Sequence, residues 1–301
     1  MLAGMNLGGQ RAIVTGANTG LGFRTASALA GGGARVTLAV RNPDKGAEAA
    51  ARIRKSHPGA VVQVSTIDLA DLATVREFAA REAADPVDIL VNNAGVMLVP
   101  ERGTTADGFE LHLGINHLGH FALTCLLLPA LPPDARVVHV SSLAHHSARR
   151  MDRGLSLIGP YAPMAAYAQS KLAVLLFAFE LDRRLRAAGS RIVSVAAHPG
   201  WSATELFDRG DRPGPFVRMS RWATQQLGSS PVNGARSQVY AATAPDVTGG
   251  QFFGPRMLAW GPPAPARASK AARDLAEAQW LWRTSEWLSE VEAGLPVVTG
   301  Q

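Results

Sequence analysis

From Arg11 the chain alternates short apolar runs with longer stretches in which apolar residues recur every three or four positions. The runs 11–16, 35–40, 61–67, 87–92, 136–142 and 191–197 read as strands. The stretches 22–33, 44–57, 71–83, 107–128 and 165–188 read as helices. The strand runs are β-branched and do not alternate with polar residues, which implies burial on both faces, as in a parallel sheet. Repeated strand-then-helix order implies right-handed crossovers and a doubly wound α/β architecture. Past Gly200 the alternation loosens. Residues 201–230 carry Pro213, Pro215 and several aromatics, and precede a helix over 231–243 and a short strand over 250–254. A Pro-rich stretch, 260–266, leads to two terminal helical runs, 267–280 and 282–293. Trp280 and Trp287 lie seven apart, hence on one helical face, which predicts a terminal helix docked on the core. No linker or repeat divides the chain, so 1–301 reads as a single domain with a C-terminal extension over 255–301.

Composition narrows the class without choosing a function. A chain of 301 residues with 47% hydrophobic and 18% charged content has ample core for a globular fold. The formal charge of +6 raises nucleic acid as a partner. The arginines are scattered, however, and no basic run alternates with aromatics, so nucleic-acid binding is not expected. The most apolar run, 121–131, is too short to span a bilayer. The N-terminus lacks a basic region followed by an apolar stretch. These features predict a cytoplasmic protein with no membrane partner. Cys125 is the sole cysteine and reads as a buried hydrophobe. His139, His145, His146 and His198 are joined by no cysteine or paired carboxylates at ligand spacing, so no metal site is expected.

Candidate chemistry begins at the first turn, 15-TGANTGLG-22, which lies between the first strand and the first helix. Glycines there allow a tight turn and let backbone N–H groups approach a pyrophosphate at the helix N-terminus. At the end of the second strand, where such folds read the adenosine ribose, the chain offers Arg41 and no carboxylate before Asp44. A guanidinium pairs with a 2′-phosphate that a carboxylate would repel, so NADP(H) is expected over NAD(H). An arginine merely capping a sheet edge is the alternative.

Lysine occurs only at Lys45, Lys55, Lys171 and Lys270, while arginine is abundant. Lys171 stands one helical turn after Tyr167, one of three tyrosines. Residues at i and i+4 leave a helix on the same face. An ammonium there favours the phenolate and fits Tyr167 for proton donation and acceptance. Ser142 ends a strand, where open α/β sheets bind ligands, and its hydroxyl can hydrogen-bond a substrate oxygen. Asn116 is an amide inside an otherwise apolar helix and needs partners there.

Together, 15-TGANTGLG-22, 92-NNAG-95, 116-NHLGHF-121, 141-SSLAHH-146, 167-YAQSK-171 and 198-HPGWSAT-204 strongly resemble the short-chain dehydrogenases/reductases. The likeness is nearest to the retinol-dehydrogenase-like and protochlorophyllide-reductase-like members, and it runs from about Arg11 to Trp287. It implies a Rossmann-like doubly wound parallel sheet with helices on both faces. It also implies that Tyr167 is the general acid/base, that Lys171 tunes it and binds the nicotinamide ribose, and that Ser142 orients the carbonyl. Asn116 would hold a water linking Lys171 to solvent. By the same resemblance Thr15, Gly16, Asn18, Thr19, Gly20, Leu21 and Gly22 hold the pyrophosphate, and Asp68 and Leu69 the adenine. Asn93, Ala94 and Gly95 would flank the adenosine ribose, and Pro199, Gly200, Ser202 and Thr204 the nicotinamide carboxamide. Arg41 matches the basic position of NADP-using members. Such proteins usually pair into homo-oligomers through the helices corresponding to 107–128 and 165–188.

The function expected is reversible hydride transfer between NADP(H) and a lipophilic ketone, aldehyde or alcohol. A dinucleotide-binding sensor or scaffold that has lost catalysis is the alternative from another class, and fold alone does not separate the two. Substrate choice is expected in 201–230, read either as a mobile lid or as a plain amphipathic helix.

Overall fold

Why the strands bury both faces is plain from their order. The structure, a computed structural model, describes residues 5–155, 159–200, 231–257 and 260–295. Among these, one sheet runs β3-β2-β1-β4-β5-β6-β7-β8. Its strands are β1 (Arg11–Thr15), β2 (Arg35–Val40), β3 (Val62–Thr66), β4 (Ile89–Asn92), β5 (Arg136–Val140), β6 (Val193–Ala197), β7 (Phe252–Pro255) and β8 (Pro263–Pro265). All neighbouring pairs are parallel except β7 with β8. The order reverses between β1 and β4, so the crevice at their C-terminal ends is the topological switch point. Ala12, Ile13, Val14, Leu90 and Val138 are fully buried. β3 lies at an edge and is only partly covered.

The helices are α1 (Gly20–Gly31), α2 (Pro43–Ser56), α3 (Leu72–Glu82), α4 (Leu111–Ala130), α5 (Pro163–Ala187), α6 (Pro231–Thr243) and α7 (Leu275–Ser289). Two core layers result. One packs Phe23, Leu29 and Ile53 on one face of the sheet; the other packs Phe78, Phe121, Leu181 and Trp282 on the opposite face. α4 is not uniform. A π turn over Gly114–Leu118 interrupts it and places Asn116 at the irregularity, a device often found at functional sites. Gly119 lets α4 approach the chain after β3, because a Cβ there would stand 2.6 Å from the Leu69 carbonyl oxygen.

The structure corrects the C-terminal expectations. The Pro-rich 260–266 contributes β8, an antiparallel edge strand, where proline is tolerated because one side of the strand needs no ladder donors. The two terminal helical runs are a short 3₁₀ turn, Ala271–Arg273, followed by the single helix α7. The core anchor of α7 is Trp282, at 2% exposure, while Trp287 is 76% exposed. Trp280 lies under the Arg153 guanidinium, 3.8 Å from its ring centroid. The stretch 201–230, with Ser202 and Thr204, lies outside the described residues.

Candidate active site

The glycine-rich loop is built by reciprocal bonds between the ends of β1 and β4. The Thr15 hydroxyl accepts from the backbone N–H groups of Asn93 and Ala94, each at 2.9 Å. The Asn93 amide returns a bond to the Thr15 carbonyl at 2.8 Å. Gly16 has φ +65, and a Cβ there would sit 3.0 Å from Ala94. A Cβ on Gly22 would collide with the Gly16 carbonyl and stand 2.5 Å from the Asn93 amide nitrogen. Gly20, at φ +55, differs, because a Cβ there would meet nothing within 4 Å. Thr19 begins α1 without a side-chain cap, and the first turn holds no acidic residue. An open space beside uncapped N–H groups suits a phosphate, so the residues present fit a dinucleotide.

Asp68 and Leu69 follow β3, where the Asp68 carboxylate accepts from the Ala70 N–H at 3.0 Å. Arg41 is exposed just past β2, in front of α2, whose Asn42 side chain caps the Lys45 N–H at 2.9 Å. Past β6, the His198 ring accepts from the Gly200 N–H at 3.0 Å, and Pro199 lies against α6 beside Gly234.

Four predicted polar residues converge beyond β4 and β5. Tyr167 and Lys171 are buried in the first part of α5, at 8% and 5% exposure. The Ser142 hydroxyl stands beside the Tyr167 phenol and acts to lower its pKa. Lys171 Nζ donates to the Val140 carbonyl at 3.0 Å, and the Ser141 hydroxyl bonds the Lys171 carbonyl at 2.8 Å, so α5 is pinned to the end of β5. Asn116 Oδ1 accepts from Val96 N at 2.8 Å, while Nδ2 donates to Val96 O at 3.0 Å and to Ser170 Oγ at 2.9 Å. Ser170 in turn donates to the Tyr167 carbonyl at 2.8 Å. Gly95 completes the group, since a Cβ there would stand 3.0 Å from Asn116 Oδ1 and 3.4 Å from Lys171 Nζ.

The electrostatics depart from the sequence reading, in which Lys171 acidifies Tyr167. Burial raises the Tyr167 phenol above its ordinary value, against the opposing Ser142 hydroxyl. Burial also lowers the Lys171 ammonium to about 8. Lys171 Nζ lies 5.8 Å from the Tyr167 ring centroid, and at that separation loss of hydration governs both groups.

Sequence reasoning missed three neighbours. Glu110, His112 and Tyr161 form a hydrogen-bonded cluster whose imidazole meets the Tyr167 ring edge-on, with centroids 6.1 Å apart. The signal was a carboxylate and an imidazole two residues apart in 109-FELHL-113, at the start of an apolar helix. His120 was also missed as a link: its ring bonds the Thr15 hydroxyl at 2.9 Å and the Asn116 carbonyl at 3.1 Å.

A sheet with its switch point at β1 and β4, a glycine turn fitting a dinucleotide, and a Ser–Tyr–Lys group beside it define a class. The chain belongs to the short-chain dehydrogenases: the sequence model of that family, described as "short chain dehydrogenase", matches residues 10–212. Within it the chain falls in the retinol-dehydrogenase-like branch. It is 40% identical over 287 residues to human (Homo sapiens) retinol dehydrogenase 11, covering 93% of this chain and 86% of that protein. Mouse (Mus musculus) polyprenol dehydrogenase is 44% identical over 250 residues, covering 80% of this chain and 73% of that protein. The crystal structure of an uncharacterised protein from Mycobacterium paratuberculosis superposes with a TM-score of 0.81 at 42% identity, covering 96% of this chain and 97% of that one. The protein is therefore an oxidoreductase whose fold binds a nicotinamide dinucleotide.

The same findings overturn the cytoplasmic placement. The short run 121–131 is part of a longer apolar helix, and the helices Leu111–Ala130 and Pro163–Ala187 are both long and apolar enough to cross a membrane by length and composition. Their apolar windows are 83% and 78% buried in the fold. The relatives, moreover, are named for the lipid alcohols retinol and polyprenol. Low hydropathy no longer supports the cytoplasm.

Proposed function

We propose that the protein is an NADP(H)-dependent oxidoreductase that interconverts a lipophilic aldehyde or ketone and its alcohol, with Tyr167 as proton donor and acceptor. The observation carrying this reading is the buried phenol, with the Ser142 hydroxyl beside it and Lys171 one helical turn later. Thr15, Gly16, Asn18, Thr19, Gly20, Leu21 and Gly22 would hold the pyrophosphate. Asp68, Leu69, Asn93, Ala94 and Gly95 would hold the adenosine, and Lys171, Pro199 and Gly200 the nicotinamide end. When bound, the reduced cofactor supplies a hydride to the carbonyl carbon. Ser142 orients the carbonyl oxygen, Tyr167 Oη gives it a proton, and Lys171 favours the resulting phenolate. Because burial keeps the free phenol protonated, the resting site is ready for carbonyl reduction. Oxidation of an alcohol runs the same steps backwards, with the proton returned to Tyr167.

Arg41 supports the choice of NADP(H): it is exposed at the end of β2 with no carboxylate beside it in sequence. The names of the relatives support a lipid alcohol or its carbonyl partner as substrate. The test is turnover of retinaldehyde and a panel of aldehydes and ketones with NADPH, in the wild type and in Tyr167→Phe. Reduction by the wild type and a loss of at least about a hundredfold in the variant support the reading. Equal rates overturn it.

A further inference from the structure

Tyr167 is held on one side by a polar cluster that the reaction above does not use. Glu110 and His112 stand at the start of α4, and the side chains of both are fully buried. His112 Nδ1 lies 2.7 Å from Glu110 Oε1, and His112 Nε2 accepts from the Val99 N–H at 3.3 Å. With Nε2 accepting, the ring proton belongs on Nδ1, where it is donated to the carboxylate. Glu110 Oε2 accepts from the Leu113 N–H at 2.9 Å. The Tyr161 hydroxyl lies 3.3 Å from Glu110 Oε1 and 3.2 Å from the Val99 carbonyl. Burial pushes the Glu110 carboxyl up, but the His112 side-chain bond and the backbone N–H groups of His112 and Leu113 outweigh it, leaving the group below the ordinary carboxylate range.

Three segments meet here: the loop after β4 through Val99, the start of α4, and the residues leading into α5 through Tyr161. The imidazole fixed at their junction faces the Tyr167 ring at an interplanar angle of 62°. Rotation of the phenol about its side-chain bonds would have to displace that ring, which is itself bonded at both nitrogens. Arg102 braces the outside, lying 5.4 Å from the Tyr161 ring centroid and donating to the Gly159 carbonyl at 2.6 Å.

We propose that Glu110 and His112 are positioning residues for the Tyr167 hydroxyl, with Tyr161 locking the same cluster from the segment that enters α5. The inference rests on Tyr167 being the acid/base. Neither residue touches the reacting atoms. They fix the direction from which the phenol meets a carbonyl oxygen, and a displacement of about 1 Å there can cost up to about a hundredfold in rate.

The experiment is steady-state reduction of retinaldehyde by NADPH in Glu110→Gln, His112→Phe and Tyr161→Phe, with Tyr167→Phe alongside and Tm recorded for each. Glu110→Gln keeps the shape but loses an acceptor. His112→Phe keeps a ring against Tyr167 but removes both of its anchoring bonds. The expected result is a fall in kcat of about tenfold in the first two variants and a smaller fall in Tyr161→Phe. The KM for NADPH stays within about twofold, because the pyrophosphate loop is untouched. Unchanged kcat in the folded variants overturns the inference. So does a parallel loss of kcat and NADPH affinity, which marks general loosening. Should a buried substitution prevent folding, Tyr161→Phe carries the test, since it removes one hydroxyl from a half-buried ring. If Tyr167→Phe is itself fully active, the acid/base assignment has failed, whatever the three variants do.

Discussion

Gly20 and Gly22 lie in the same turn under opposite demands. Gly22 is required by the protein itself, because any Cβ meets the Gly16 carbonyl and the Asn93 amide. Gly22→Ala should therefore cost about 1–3 kcal/mol, read as a lowered denaturant midpoint without any ligand. An unchanged midpoint would show that α1 can shift away. Gly20 borders open space instead, and what favours glycine there is its left-handed backbone at φ +55. Arg41 can be tested at the same scale. Arg41→Ala should weaken NADPH binding about ten- to a hundredfold, the worth of a charge-assisted contact, while leaving NADH binding unchanged. Equal losses for the two cofactors would remove Arg41 from the 2′-phosphate. The glycines were legible in the sequence as turn residues, because a tight strand-to-helix turn needs positive φ or close approach of its backbone. The Glu110–His112–Tyr161 cluster was not, because Tyr161 is distant in sequence and only folding brings its hydroxyl to the carboxylate.

Among the elements, the strands were the most legible, since β-branched runs without alternation have one stable home in a covered parallel sheet. β2 and α6 have the expected boundaries, the strands other than β8 and the helices through α5 shift at their ends by a few residues, and β8 was not expected. The C-terminal segment was the least legible. Its periodicity pointed to a tryptophan pair on one face, but α7 docks through Trp282, which meets Phe121 edge-on at 5.4 Å and Phe177 at 5.7 Å. Spacing alone does not say which face of a tryptophan-rich helix finds the core. Trp282→Ala should cost about 3–5 kcal/mol in urea unfolding, whereas Trp287→Ala should stay within about 0.5 kcal/mol. Similar costs for both would contradict the docking of α7. The π turn in α4 also left no periodic signature, because one extra residue in a helix that is apolar all round changes no pattern.

Across the whole molecule the fold withholds protons from five buried histidines. Burial lowers His117 and His139 to about 3, and His120, His145 and His198 to about 4. In the unfolded chain each takes a proton near 6.5. Between about pH 6.5 and the folded values the unfolded state thus binds more protons, and stability rises with pH there. Read downwards, stability is lost on acidification below about 6.5, by up to about 1.4 kcal/mol per pH unit for each histidine still neutral in the fold. Thermal unfolding followed from pH 7 to pH 5 should show a steep fall in Tm; a flat profile would mean that these rings are protonated in the native state.

The central claim joins the two ends of the sheet's crevice: a dinucleotide laid from the glycine turn places its nicotinamide beside Tyr167. A crystal structure of the protein with NADPH measures this directly. The account predicts the reactive ring carbon about 4–5 Å from Tyr167 Oη, which leaves room for one carbonyl group between them. A nicotinamide ring bound elsewhere, with Tyr167 facing only protein, would contradict it.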